Sequence, residues 1–510
     1  MATRLSSCSR SASRMAKLQL PRSHSPQLTR LLSSSNLTRQ PQDTPTSKEG
    51  KGKVFPFASR LRDGRALSLD VWSVFNAANL PPDCINLGQG YMNFLPPAWT
   101  REAAEQALRS VEGNHYAPPK GRPRLRKALK EFYSPPFGRE LDPETEIIVT
   151  SGANEGQYAA WTAFLEPGDE VIIFEPFFDQ YLPSIAFNGG KPVYVPLHPS
   201  SEPAPGVKIG KKTWTVDWDE LRRAITPRTK MIVLNTPHNP VGKVFTRTEL
   251  ERVAQLAEEH DLIVMSDEVY ESLVFDGREH VRFANLPGMW DRTITVGSAG
   301  KLFAATGWRV GWLIGPPALI GPTLAATTRI VFCTNSPMQE AAAAGLEQAR
   351  ERGFFETQRN EYEARRGVLV DAFERLGLEY AWPEGSYFIL LNISRVKWPE
   401  DYKFPETIEG RGRDFRAAWF IANEIGVSSI PVSEFYCPEH LSIGENYARF
   451  AFCKDIGTLR RAGERLQPVF ARSSGSRGRL WPTCQLSAGR LLTHSTWPTF
   501  PPSNDLRRLI

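Results

Sequence analysis

Residues 230–270 read KMIVLNTPHNPVGKVFTRTELERVAQLAEEHDLIVMSDEVY, and this stretch decides the fold. KMIVLN (230–235) is a continuous apolar run of strand length, and LIVMSD (262–267) is a second. Between them Thr246 and Glu249 are spaced as a capping box. Leu250, Val253, Ala254 and Ala257 then recur at helical spacing along one face. A strand, a helix and a strand, with neither strand alternating in polarity, describe neighbours in a parallel sheet covered on both faces.

The same reading extends outward. EIIVTSG (146–152) is an apolar run followed by ANEGQYAAWTAFL, a helix-like stretch that stops at the Pro167-Gly168 turn. EVIIFEP (170–176) and TITVGS (293–298) are further buried strands. The class is α/β, a mostly parallel central sheet flanked by helices.

Charge needs dividing before it is read. The 510 residues carry 62 Lys+Arg against 56 Asp+Glu, a net +6. Residues 1–53 hold ten basic and two acidic side chains, a net +8, and residues 471–510 hold six and one, a net +5. The middle is therefore about −7, which argues against a basic nucleic-acid-binding body. No apolar run approaches the ~20 residues of a membrane helix. Six scattered cysteines without a CxxC pair argue against a disulfide framework and a zinc site, and they suit a reducing compartment. No metal ligand set is expected. The first 42 residues have seven basic side chains, ten serines and no acid, the composition of a mitochondrial or plastid transit peptide. A mitochondrial address follows, with a cytoplasmic location as the alternative. The last 40 residues lack periodicity and read as a disordered tail.

In such sheets ligands bind outside the carboxyl ends of the strands. There the sequence places Asn239 after 230–235, Asp267 and Tyr270 after 262–267, and Ser298 and Lys301 after 293–298. Alone, each is bland: a strand-end Asp reads as a cap or ion pair, and a lysine after a strand as a surface residue. Together they suit pyridoxal phosphate. A lysine amine forms a Schiff base with its aldehyde, and a carboxylate such as Asp267 keeps its pyridine nitrogen protonated. Asn239 and Tyr270 are suited to its ring oxygen. Gly152, Ala153 and Asn154 open a helix whose N–H groups suit the phosphate, joined by Ser298 and Arg309. Phe177, just past the 170–176 strand, is expected to stack on the ring.

INLGQGYMNFLPP (85–97), NHYAPPKGRPRLR (114–126), EPFFDQY (175–181), NTPHNPVGKVF (235–245), SDEVYESLVFDG (266–277), GSAGKLFAATGWRVGW (297–312) and NYARFAF (446–452) resemble the fold-type I, class I/II pyridoxal-phosphate aminotransferases. The resemblance covers essentially 54–470. It is nearest to the kynurenine aminotransferase/glutamine transaminase K branch. It implies ping-pong transfer of an amino group, from an amino acid such as L-kynurenine to a 2-oxo acid such as 2-oxoglutarate. A broader glutamine, methionine and aromatic transaminase with cysteine-S-conjugate β-lyase activity is the runner-up. Lys301 resembles the family's proton shuttle, and Arg449 the arginine that grips the substrate α-carboxylate, with Asn239 beside it. Gly90 and Trp72 resemble the loop and indole that close over the substrate. Tyr116 resembles a tyrosine reaching the neighbouring cofactor of a homodimer, and Phe332 an aromatic lining the partner's pocket. Phe332 is followed by Cys333, where animal members of this branch have histidine, so side-chain preference is open. The resemblance also implies a large cofactor domain at 95–340 and a smaller one combining 54–94 with 341–470. Loops 199–212 and 397–412 are left at the surface. A serine hydrolase built on Ser298 and Lys301 fails for want of KTG, SDN or GxSxG elements, and a DNA-binding regulator for want of a helix-turn-helix.

Overall fold

The apolar runs become strands that are buried along nearly their whole length. The computed structural model describes residues 58, 71–76, 79–200 and 211–470. The leader 1–53, most of 54–70, residues 201–210 and the tail 471–510 lie outside the described residues, and Cys8 and Cys484 with them.

Numbered along the chain, the strands are β1 (Ile85–Asn86), β2 (Ile147–Thr150), β3 (Glu170–Glu175), β4 (Lys191–Pro199), β5 (Lys211–Lys212), β6 (Trp214–Val216), β7 (Thr229–Asn235) and β8 (Ile263–Asp267). They continue as β9 (Thr293–Ser298), β10 (Gly311–Ile314), β11 (Tyr380–Ala381), β12 (Phe388–Asn392), β13 (Val427–Ser428), β14 (Ile430–Pro431) and β15 (Tyr447–Ala451). The main sheet runs β2-β10-β9-β8-β7-β3-β4-β6. Strands β9, β8, β7, β3 and β4 pair in parallel. β10 is antiparallel to both of its neighbours, and β6 to β4. The sheet is thus mixed but mostly parallel.

The helix between β7 and β8 spans Arg247–Glu259 and starts as its sequence dictates. Thr246 Oγ1 accepts the Glu249 N–H at 3.2 Å, and the Glu249 carboxylate accepts the Thr246 N–H at 2.8 Å. Such a cap contributes about 1 kcal/mol. Leu250, Val253, Ala254 and Ala257 all face the core. The helix Ala153–Phe164 follows β2 and buries Ala159, Ala160 and Trp161.

A second sheet has the order β14-β15-β12-β11-β5 and contains Arg449 on β15, paired with Leu390 and Ile430. β5 corrects the reading of 199–212 as a plain surface loop. Residues 191–199 are strand, and Lys211–Lys212 add an edge strand beside Tyr380–Ala381. Lys211 is buried because its ammonium lies 3.6 Å from the Trp382 ring centre and 3.2 Å from Glu374. The 397–412 stretch likewise includes the short helix Glu406–Glu409, and Tyr402 and Phe404 pack with Phe420 and Trp398.

Candidate active site

The carboxyl ends of the parallel strands open on one cavity of about 220 Å³. Trp72, Gly90, Ala153, Asn154, Asn239, Asp267, Tyr270, Ser298, Lys301, Arg309 and Arg449 line it.

Its geometry follows from register. Asn235 and Asp267 are paired across β7 and β8. The Asn235 amide donates to Asp267 O at 3.0 Å, and its oxygen accepts the Asn239 N–H at 2.7 Å. One side chain thus fixes the turn that presents Asn239. Antiparallel β10 begins at Gly311, opposite both Thr150 of β2 and Ser298 of β9. Its start therefore lies where its neighbours end, and Arg309 is delivered beside Gly152 at the start of the helix after β2. A Cβ on Gly311 would come within 2.5 Å of the Ala153 nitrogen, so glycine alone permits this approach.

Asp267 is 5% exposed and accepts from Tyr181 Oη at 2.6 Å and Gln157 Nε2 at 2.8 Å. Burial pushes its pKa up, while those two hydrogen bonds oppose the rise. Lys301 is depressed to about 8, first because its amine is enclosed, with the Arg449 and Arg309 charges acting the same way. Its Nζ donates to Tyr387 Oη at 2.8 Å, and Tyr387 Oη donates to Gly90 O at 2.9 Å. Arg449 is 2% exposed. It donates to Asn239 Oδ1 at 3.0 Å and Gly88 O at 2.8 Å, and its Nε has no partner. Burial lowers it to about 10, so it stays cationic at neutral pH. The rings of Phe388, Phe435 and Trp72 lie 4.3, 5.1 and 5.6 Å from its guanidinium. The Trp72 indole N–H is held by Asp179.

These residues fit pyridoxal phosphate. Asn154 Oδ1 is buried without a partner inside the cavity. Gly152 has φ +87°, and a Cβ there would meet Arg309 Nη2 at 2.6 Å, so backbone and guanidinium share a cradle that only glycine leaves open. Asp267 is an enclosed carboxylate for which a protonated pyridine nitrogen is the natural partner.

Phe177 is corrected. It is 2% exposed, packs on Tyr194 at 5.9 Å and donates its N–H to Phe435 O, so it belongs to the core. The chain leaves strand alternation after Glu175, and Phe178 is the ring turned into the cavity. Tyr116 and Phe332 do not reach this cavity. They pack edge to face at 5.3 Å on the surface, 84% and 48% exposed. Sequence reasoning missed Tyr387, Asn235, Gln157 and Phe388. Gln157, one turn beyond Asn154 on the same helix, was findable from its spacing.

Fold and site together define a pyridoxal-phosphate-dependent aminotransferase of fold type I. The family model for "Aminotransferase class I and II" matches residues 82–466, and the chain belongs to that family. It is 46% identical over 409 residues to the Saccharomyces cerevisiae protein named "Probable kynurenine--oxoglutarate transaminase BNA3", covering 78% of this chain and 91% of that one. To the kynurenine–oxoglutarate transaminase of Dictyostelium discoideum it is 43% identical over 404 residues, 78% of this chain and 93% of that one. The crystal structure of Bna3p from Saccharomyces cerevisiae is similar with a TM-score of 0.77 at 43% identity, covering 82% of this chain and 100% of that one.

Proposed function

We propose that the protein transfers the amino group of an aromatic amino acid, L-kynurenine foremost, to a 2-oxo acid such as 2-oxoglutarate. The observation that carries the substrate class is the aromatic sleeve around Arg449. Phe388, Phe435 and Trp72 crowd its buried guanidinium, with Phe178 and Tyr270 on the same cavity wall. A carboxylate gripped there puts the rest of the molecule among rings. The names of the relatives point the same way.

Bound pyridoxal phosphate supplies an electron-withdrawing ring that takes up the electron pair released when the substrate's α C–H bond breaks. Ser298, Arg309 and the N–H groups at Ala153 and Asn154 would hold its phosphate. Asp267 would hold its ring nitrogen, Asn239 and Tyr270 its ring oxygen, and Phe178 its face. Arg449 binds the α-carboxylate, its unpaired Nε completing a two-pronged grip. Lys301, depressed toward neutrality, takes up and returns the α-proton as a free amine. Tyr387 holds that amine from behind through its oxygen.

We propose further that the enzyme is a homodimer, with Tyr116 and Phe332 reaching the partner's site. Two adjoining aromatics left so exposed suit burial by a second copy. The acid-free first 42 residues support a mitochondrial address, and residues 54–94 with 341–470 are read as the smaller domain. The test is an amino-donor panel on the purified enzyme, read by bleaching of the cofactor band and, with kynurenine, by formation of kynurenic acid. A panel ranking glutamine or methionine far above kynurenine would replace this reading with the broader transaminase.

A further inference from the structure

Away from the cavity, three donor atoms converge where the end of β3 meets the turn that follows β14. Glu175 is 0% exposed and Cys437 2%, and His440 is partly open to solvent. Cys437 and His440 belong to one Cys-Pro-Glu-His turn, and Glu175 stands 262 residues upstream of Cys437. Cys437 Sγ lies 3.3 Å from His440 Nδ1, and the Glu175 carboxylate contacts the same nitrogen. The three atoms lie within 4.8 Å of one another.

Two other readings of this cluster are weaker. A nucleophilic Cys–His–Glu arrangement needs the thiol and the carboxylate on different ring nitrogens; here both face Nδ1. A simple Glu175–His440 ion pair accounts for two members and leaves the buried thiol pointed at their contact. Among the described residues the other cluster of this kind, Glu268, Glu271 and His280, holds a cation already: Arg282 bonds Glu268 at 2.7 Å and also pairs with Glu271. Among the described residues, no Lys or Arg pairs with Glu175.

We propose that Glu175, Cys437 and His440 form a binding site for a borderline-soft divalent cation, Zn²⁺ foremost, with a fourth position open to water through the exposed side of His440. Thiolate, imidazole and carboxylate are the ligand types zinc takes, at about 2.0–2.3 Å, which sets them roughly 3.3–3.8 Å apart in a tetrahedron. The sulfur–nitrogen separation already meets this, and the carboxylate, which now contacts the ring nitrogen directly, must draw back from it to take a ligand position. Binding releases the thiol proton to solvent, and the Nδ1 proton moves to Nε2 or leaves. A Cys-x-x-His turn completed by a distant carboxylate carries no CxxC spacing in the sequence.

The site is linked to the active centre through the chain. Glu175 precedes Phe178 on the cavity wall, and Phe435, beside Arg449, accepts the Phe177 N–H. A cation here ties the end of β3 to the segment beside the substrate arginine.

The test uses full-length holoenzyme titrated with ZnCl₂ by calorimetry and with CoCl₂ by absorption, which reports tetrahedral thiolate–cobalt bonding. One equivalent is expected, with cobalt–thiolate bands. Cys437→Ser should abolish the bands, and His440→Gln should weaken Zn²⁺ at least about 10-fold. Both variants should keep bound cofactor and turnover, which reports folding independently. Cys84→Ser/Cys333→Ser, which removes the two partly exposed thiols among the described residues, should bind as the parent does. Absence of stoichiometric binding, or bands that survive Cys437→Ser, would overturn the assignment.

Discussion

Tyr387→Phe isolates one hydrogen bond to the Lys301 amine. The tyrosine proton is committed to Gly90 O at 2.9 Å, so its oxygen faces Lys301 Nζ at 2.8 Å as an acceptor. An acceptor stabilises an ammonium more than a neutral amine. Hydrogen bonds to charged groups contribute about 1.5–3 kcal/mol, against about 0.5–1.5 for neutral pairs. Losing the difference, about 1 kcal/mol, lowers the lysine by roughly 0.7 pH units. The ring itself stays, packed 5.1 Å from Tyr270 and 6.1 Å from Tyr362, so the cavity wall should survive. Lys301 starts near 8. In the variant the neutral fraction at pH 7 should rise from about a tenth to about a third. The assay is the pH dependence of Lys301 acylation in cofactor-free protein, read by peptide mass spectrometry. The acid limb of kcat/KM should move to lower pH in parallel. A midpoint that stays put or rises would refute the assigned direction of the bond.

Three other outcomes follow from the same geometry. Arg449→Lys keeps the charge but loses the planar fork, so KM for amino donors should rise by about 30–100-fold with a smaller change in kcat. Asp267→Asn turns an NH₂ toward Gln157 or Tyr181 and removes the charge; turnover should fall at least about 100-fold, with circular dichroism unchanged. Gly152→Val puts a branched side chain at φ +87° against Arg309, so the purified variant should lose its cofactor absorption and melt a few degrees lower.

The site was legible where chemistry rides on long strands. Asp267 and Lys301 stand at or just past the carboxyl ends of β8 and β9, whose apolar runs are continuous because the sheet is covered on both faces. Arg309 was read from its charge and its place after the 293–298 strand, but the device that places it was not. β10 is four residues long, starts on glycine and runs antiparallel, so no hydrophobic period announces it. Phe177 failed for a related reason, since strand alternation ends at Glu175 and the choice between adjacent phenylalanines is made by core packing against Tyr194. Tyr387 lies on the second sheet's side, 86 residues from Lys301, and only folding brings the two together.

The charge reading gains physical content at the cavity. An acidic body nonetheless places Lys301, Arg309 and Arg449 around one space, against a single deeply buried carboxylate at Asp267. Both guanidiniums help hold the lysine down. An anion bound to either should therefore relax that depression. When a substrate α-carboxylate pairs with Arg449, its charge offsets one of the two cations acting on Lys301, and the amine becomes a stronger base as the proton it must take arrives. A 2-oxo acid carries the same carboxylate and exerts the same effect in the reverse direction. On the proposed roles of the two residues, Arg449 would serve recognition and proton transfer together: removing it should weaken binding and also uncouple the basicity of Lys301 from substrate occupancy.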